Sequence, residues 1–266
     1  MILENVPKIV GVIYAIAGLF ILAYLFYKDR FNKKIGYVFL LISTALGFLI
    51  FAPMYPVQLQ LILLGDTIGL GASIAMAGVG IILFVIFTLI FGRLFCGYLC
   101  PIGAIQELFY LIPTPKKIIK WKKELIVFRI LFFIGLSIVA LFFSVNLLSY
   151  FGISSFFNLN LSSLFVIVFI GILIGSMFVY RVFCRFFCPY AVFLSLASRF
   201  SFFKFRRNEN CIECKKCEYA CPTDEAKADD LKQECYLCYR CKDVCPVDAI
   251  DYTKNKKNKV RTHENN

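Results

Sequence analysis

The run Cys211-Ile-Glu-Cys214-Lys-Lys-Cys217-Glu-Tyr-Ala-Cys221-Pro222 is matched in spacing by Cys235-Tyr-Leu-Cys238-Tyr-Arg-Cys241-Lys-Asp-Val-Cys245-Pro246. Each run places three cysteines on one short loop and a fourth directly before a proline. Closely spaced thiolates in this arrangement are the ligands that hold 4Fe-4S clusters. The repeat therefore predicts a small module built around iron-sulfur clusters at residues 208–252.

The spacing also predicts how the eight cysteines are shared between two clusters. It is the bacterial two-cluster spacing, in which the cysteine before proline ligates the cluster of the other run. The predicted ligands are Cys211, Cys214, Cys217 and Cys245 for the first cluster, and Cys235, Cys238, Cys241 and Cys221 for the second. Structural zinc is an alternative, but it requires neither the third cysteine of each loop nor the repeated Cys-Pro. Disulfides are disfavoured on a reducing, cytoplasmic side of a membrane.

The remaining four of the 12 cysteines form a second repeat further upstream. Arg93-Leu-Phe-Cys96-Gly-Tyr-Leu-Cys100-Pro101 matches Arg181-Val-Phe-Cys184-Arg-Phe-Phe-Cys188-Pro189. Residues i and i+4 share one face of a helix, so each pair is expected to present two sulfurs to the other. The prolines are expected to end or bend the helix beside them.

We therefore predict a third metal centre, most simply another 4Fe-4S cluster, whose ligands are Cys96, Cys100, Cys184 and Cys188. Copper or another thiophilic metal is an alternative that thiolates also suit. Free or reversibly oxidised thiols are a second alternative. Arg93, Arg181 and Arg185 would either offset the negative charge of a thiolate-ligated cluster or anchor the chain at the membrane interface.

Composition indicates that most of the chain lies in a membrane. It is 60% hydrophobic and 17% charged, whereas soluble domains average about 45–50% and about 25%. Apolar segments of the length that crosses a bilayer cover residues 9–27, 35–52, 73–92, 125–144 and 162–180. The predicted fold is an α-helical polytopic membrane protein of about five spans, with a small C-terminal α+β two-cluster ferredoxin domain. Arg129 is expected to snorkel from the fourth span to the interface.

Charged residues predict the orientation of the spans. Ten Lys and Arg residues lie in the two segments that follow the first and third spans, whereas residues 53–72 and 145–161 have none. The positive-inside rule then places the N-terminus outside and the ferredoxin domain in the cytoplasm, with the protein in the cell membrane. The first span is expected to be a retained anchor because the positive charges follow it.

The predicted organisation has four parts. They are two N-terminal spans with an outer loop (1–72), a membrane core with the two cysteine-pair repeats (73–207), the ferredoxin domain (208–252) and a basic tail (253–266). The tail is expected to lie against anionic lipid headgroups. Nucleic-acid binding is not expected, because the basic residues of the membrane part flank apolar spans and do not form a basic folded face.

The ferredoxin domain has 11 acidic and 6 basic residues. This charge predicts docking of a redox partner or companion subunit that has a basic surface. The candidate acids are Glu209, Glu213, Glu218, Asp224, Glu225, Asp229 and Asp230. Haem is not expected, since His263 is the only histidine and no Cys-x-x-Cys-His motif is present.

Paired Cys-x-x-x-Cys-Pro motifs followed by a two-cluster ferredoxin resemble the NapH-type membrane ferredoxins, the quinol-dehydrogenase components that feed periplasmic reductases. The same core is similar to the membrane half of the NosR and CcoG-type proteins. The resemblance covers about residues 73–252, and all 12 cysteines occupy its motif positions. It implies electron transfer between the membrane quinone pool and a redox partner. The chain has an extra N-terminal span and lacks room for the flavin-binding outer domain of NosR, so covalent FMN is not expected.

The quinone has two candidate locations, because two apolar stretches follow the Cys-Pro motifs in the manner of interfacial helices. One contains Glu107 and Tyr110, and the other begins at Tyr190. An ordinary solvated charge and interfacial tyrosines are the simpler interpretation. The CcoG resemblance implies an alternative function, reduction of a bound metal such as copper for the maturation of another enzyme. Four methionines and one histidine offer little for a metal entry path.

Overall fold

The computed structural model describes residues 2–49, 56–70, 73–144, 146–160 and 162–254, apart from the side chains of residues 2–9, 68 and 69. The predicted basic tail lies outside the described residues except at its start. The predicted second span likewise continues beyond the described part of its helix.

The described residues are mainly helical. The α-helices are α1 (Ile2–Tyr27), α2 (Lys33–Leu49), α3 (Val57–Leu64), α4 (Thr67–Leu70), α5 (Ile74–Phe91), α6 (Pro101–Tyr110), α7 (Lys122–Phe143), α8 (Ile153–Phe157), α9 (Phe165–Phe178), α10 (Tyr190–Arg199), α11 (Lys216–Ala220) and α12 (Arg240–Asp243). Two π-helical turns (Phe95–Leu99 and Phe183–Phe187), a 3-10 turn (Leu147–Phe151) and strands β1 (Phe203–Arg207) and β2 (Ile250–Lys254) complete them.

Within the part of the chain that the structure describes, three helices are long and apolar enough to cross a membrane. They are α1 over Val10–Tyr27, α5 and α7. Their outward faces are apolar, as lipid contact requires; Met76, Val79 and Ile82 of α5 are each more than 60% exposed. The described part of α2 has 17 residues and α9 has 14, fewer than the ~20 residues of a typical span. The prediction of a helical membrane protein is confirmed, while the number of spans and their orientation stay predictions.

The described parts of the two predicted outer loops fold back against the helices. Gln60 of α3 is 3% exposed and donates from Nε2 to the carbonyl of Leu136 in α7 at 3.4 Å. Its Oε1 accepts from the backbone N–H of Leu148 at 2.9 Å. Since Leu136 lies in the middle of a candidate span, α3 and the 3-10 turn reach back toward the centre of the helical core.

The first cysteine of each pair lies on a π-helical turn and the second directly follows it, so the prediction of a regular helix across each pair is wrong. Cys100 N–H donates to the carbonyl of Phe95, and Cys188 N–H donates to that of Phe183, both five residues back. A residue before proline is forced out of the helical region, and Cys100 is extended (φ −73°, ψ 120°). Pro101 then begins α6, at a position that needs no N–H donor.

The ferredoxin module is closed by a two-stranded sheet and sits directly on the membrane core. Strands β1 and β2 pair antiparallel, with Phe203 opposite Lys254, so the module extends beyond residues 208–252 at both ends. Tyr98 Oη donates to the carbonyl of Leu237 at 3.1 Å. At Gly97 a Cβ would lie 2.5 Å from the Tyr236 carbonyl oxygen, so only glycine permits this approach of the first π turn to the module.

Candidate metal centres

Each predicted set of four cysteines lines one cavity. The three sets are Cys211, Cys214, Cys217 and Cys245; Cys221, Cys235, Cys238 and Cys241; and Cys96, Cys100, Cys184 and Cys188. All twelve are free thiols. Among the described residues, no three His, Cys, Asp or Glu side chains are grouped closely enough to hold a metal ion. Four thiolate ligands around one cavity are what a 4Fe-4S cluster requires.

The cavity of the membrane cysteines is buried and mostly apolar. Phe95, Ile102 and Leu194 contribute to its lining, together with Pro56 from the segment that folds back. Gln106 is fully buried and donates from Nε2 to Cys184 Sγ at 3.4 Å. Gln106 could not be predicted from the sequence, because its position depends on the approach of α6 to the second π turn.

Burial affects the chemistry of these thiols. It raises the pKa of Cys184 to about 11 and that of Cys188 to about 12. These two buried thiols therefore differ from the low-pKa cysteines of nucleophilic and redox sites. These thiols would have to lose their protons to ligate a metal centre.

One buried ion group joins the ferredoxin module to α7 and the first cysteine turn. Glu234 accepts from Arg129 at 2.8 Å and from Arg93 at 3.3 Å, and all three residues are at most 1% exposed. Burial opposes the ionisation of Glu234, but the charges of Arg129 and Arg93 outweigh it and lower the pKa of its carboxyl group. The prediction that Arg129 snorkels to the interface is wrong, because Glu234 supplies a buried partner from a distant part of the chain.

A second buried ion group lies beside the first. Glu107 is 5% exposed and pairs with Arg181 at 2.9 Å and with Arg240 at 2.5 Å. Burial again opposes ionisation, and the charges of Arg240 and Arg181 lower the pKa of the Glu107 carboxyl group. Arg181 also donates to the backbone carbonyls of Cys96 and Gly97. Glu107 is therefore not a solvated charge.

Arg93, Arg181 and Arg185 are also at most 1% exposed. Of the two explanations that the sequence allowed for them, anchoring at the membrane interface is therefore wrong, because these side chains lie inside the protein. The guanidinium carbon of Arg240 lies over the ring of Tyr110, 5.1 Å from the ring centroid. Tyr190, the other quinone candidate, lines the cavity of the membrane cysteines.

Tyr236 connects the membrane cysteines to the second ferredoxin set. It is 1% exposed, lines the second cavity and packs with Cys184, Cys96 and Cys238. Arg93 lies over its ring at 4.1 Å and donates to its hydroxyl at 3.0 Å. The cavity of the first ferredoxin set shares Arg207 and Ile250 with the cavity of the second set, and its Cys214 is exposed. The three cysteine sets thus form a series from the surface to the membrane core.

Comparison with known families supports this description of the site. A family model described as a 4Fe-4S binding domain matches residues 74–122 and 162–208. Each matched stretch contains one of the two Arg-x-Phe-Cys-x-x-x-Cys-Pro repeats. The match therefore falls on the predicted membrane core, and each of its two parts covers one copy of the cysteine-pair repeat.

Three relatives show how far the similarity extends. The chain is 33% identical over 186 residues to the uncharacterized protein MJ0750 of Methanocaldococcus jannaschii, which covers 65% of this chain and 77% of the relative. It is 30% identical over 162 residues to the putative electron transport protein YccM of Escherichia coli (54% and 45%). It is 29% identical over 147 residues to the regulatory protein NosR of Stutzerimonas stutzeri (50% and 20%). No solved structure matches the chain.

The fold, the cysteine sets and these matches define a membrane-associated iron-sulfur protein. More particularly, the chain belongs to the 4Fe-4S binding family of NapH and NosR-type electron transport proteins, which confirms the resemblance inferred from the cysteine motifs. The chain spans 45% of the length of YccM and 20% of NosR.

Proposed function

We propose that the chain is a membrane-anchored electron conduit in which three 4Fe-4S clusters connect a redox partner to the quinone pool. The observation that carries this proposal is the series of three cavities, each lined by four cysteines. Clusters at these positions would exchange single electrons. The protein supplies their ligands, their spacing and the charges around them.

The orientation proposed for the conduit follows the positive-inside rule. Five spans, including the short helices α2 and α9, place the N-terminus outside and the ferredoxin module in the cytoplasm. Ion pairs join the module to the two segments that are rich in Lys and Arg. Lys122 pairs with Asp230 at 2.8 Å, and Lys242 of the module pairs with Asp29 at 2.5 Å.

The partner end of the conduit is the exposed first cluster site. Several of the candidate acids are used inside the protein, since Glu225 is buried and Glu218 pairs with Arg207 at 2.6 Å. Glu209 and Glu213, which flank Cys211, are exposed. Exposed Ile212 (61%) lies between them and would provide the apolar contact. The occupant we propose is a soluble redox protein with a basic surface.

Replacing Glu209 and Glu213 by glutamine should slow electron exchange with a basic redox protein, such as cytochrome c, by about threefold at low salt, because fewer charges attract the partner. Stopped-flow spectroscopy measures the second-order rate, and added salt should reduce the difference between variant and wild type. Glu124→Gln removes an exposed acid from the membrane core and serves as the control. Equal rates in all three proteins would contradict this docking surface.

The quinone end is proposed at a cavity of about 240 Å³ between α2, the first π turn, α6 and the module. Cys238, a predicted ligand of the second cluster, lines it together with Glu107 and Arg240. Tyr37 and Leu111 at its edge are 39% and 40% exposed, so the cavity reaches the surface of the membrane core. A quinone and its quinol differ by two electrons and two protons, and the electrons would pass one at a time to or from the neighbouring cluster.

Leu111→Trp should fill the mouth of this cavity and lower the rate of electron exchange with a menadiol/menadione couple about tenfold, the equivalent of about 1.4 kcal/mol of lost binding. Anaerobic stopped-flow absorbance of the clusters measures the rate in both directions. Ile112→Trp is the matched control, since Ile112 is also 40% exposed but does not line the cavity. Equal slowing by both variants would rule out this cavity. A wild-type protein that exchanges no electrons with the couple would rule out the quinone link itself.

A further inference from the structure

The interface between the membrane core and the ferredoxin module contains an excess of buried positive charge. Arg93 and Arg129 share Glu234, while Arg181 and Arg240 share Glu107. Arg185 lies in the same region, since its backbone carbonyl accepts from Arg129 Nη1 at 3.4 Å. Five arginines thus face two glutamates. The other titratable groups near Arg93, Arg181 and Arg240 are tyrosines and cysteines of the cluster sites.

Arg185 is the clearest member of this arginine layer. Its side chain is fully buried, and Nε, Nη1 and Nη2 have no hydrogen-bond partner in the described part of the chain. Glu234 already accepts hydrogen bonds from Arg93 and Arg129. A buried guanidinium without a hydrogen-bond partner is strongly unfavourable, and a further negative charge nearby would offset that cost.

The two neighbouring cysteine sets are in the right place to supply that negative charge. Arg185 directly follows Cys184 in the second π turn. Arg93 lines the membrane cavity, and Tyr236, which it contacts, lines the second ferredoxin cavity. A cluster with four thiolate ligands has a net negative charge, and its reduction potential depends on the charges and hydrogen bonds around it. The arginine layer therefore lies between two sites that would each hold an anion.

We infer that the arginine layer raises the reduction potentials of the membrane cluster and the second ferredoxin cluster, and that Arg185 does so as a charge alone. The inference rests on the proposed function, because it requires those clusters. Reduction adds a negative charge, and a buried positive charge nearby stabilises the reduced form. Arg185 is a positioning charge in this scheme and makes no contact with a substrate.

The test is a redox titration of the full-length protein, followed by electron paramagnetic resonance. In Arg185→Gln, at least one of the two flanking clusters should become about tenfold harder to reduce, which corresponds to about 59 mV for one electron. The first cluster should keep its potential. Arg185→Lys keeps the charge and should stay close to wild type. Arg199→Gln, which removes an exposed arginine from α10, is the control.

The outcomes separate this inference from the proposed function. A wild-type protein with fewer than three clusters would contradict the proposed function, and this inference with it. A fully loaded Arg185→Gln protein with unchanged potentials would overturn the inference alone. Arg185→Leu, which replaces the unpaired charge by an apolar side chain, is the second variant. If both neutral variants lose iron, Arg185 has a structural role and the inference is wrong.

Discussion

Replacing Cys96 and Cys184 together by serine is expected to lower the iron content from about 12 to about 8 atoms per chain, since each cubane contains four. These two residues come from the two π turns and line the same cavity, so the change removes half of one ligand set. The two ferredoxin sets use other cysteines and should keep their clusters. The measurement is iron and acid-labile sulfide in protein purified without oxygen.

A matched pair of variants makes the iron count specific. Cys211→Ser with Cys214→Ser should also lower it to about 8 atoms, through loss of the first cluster, and the fourfold variant should hold about 4. Additive losses indicate separate sites. An unchanged iron content in the Cys96 and Cys184 variant would rule out the third cluster. About 8 atoms of iron in the wild type, together with copper at the membrane thiols, would favour the metal-handling alternative.

The cysteine sets were predictable because iron-sulfur ligation depends on local spacing. Three cysteines on one loop and a Cys-Pro in each run indicate which thiols act together, and the three cavities contain those same groups. The long helices were predictable for a similar reason, since each is encoded by one continuous apolar segment. Such features need no knowledge of which distant residues meet.

The pairing of the buried charged residues was not predictable from local sequence. Arg129 and Glu107 were interpreted from their own segments, one as an interfacial arginine and the other as a solvated acid or a quinone contact. Their partners, Glu234 and Arg240, lie 105 and 133 residues further along the chain. Nothing near Glu234 in the sequence marks it as buried, apart from its position directly before Cys235. Pairing of this kind follows from the docking of the module, which hydropathy does not encode.

The short segments that fold back were missed for a different reason. The stretch around α3 is apolar and lacks Lys and Arg, which is consistent with an outer loop near lipid as well as with burial. Gln60 decides between these, because its amide satisfies one backbone group on α7 and another on the 3-10 turn. A buried polar group that hydrogen-bonds on both sides fixes the position of the segment.

Glu234→Gln is expected to destabilise the protein by about 3–5 kcal/mol, because it leaves Arg93 and Arg129 buried without a compensating charge. Both carboxylate oxygens of Glu234 accept from these arginines. Chemical unfolding in detergent, followed by the cluster absorbance, measures the change. The wild-type advantage should persist at neutral pH. Since the native pKa of Glu234 is lowered, the advantage should shrink as the pH falls below the ordinary value of 4.5 and the carboxylate is protonated.

The control for this prediction is an exposed ion pair at the same interface between the membrane core and the ferredoxin module. Asp243→Asn breaks the ion pair between Asp243 and Lys33, whose side chains are respectively 40% and 38% exposed. This change should lower the free energy of unfolding by less than about 1 kcal/mol. The contrast depends on burial, since both pairs connect the module to the membrane core. If Glu234→Gln were no more destabilising than Asp243→Asn, the buried ion group would not hold the module in place. The docking would then depend on the apolar and backbone contacts around Gly97 and Tyr98.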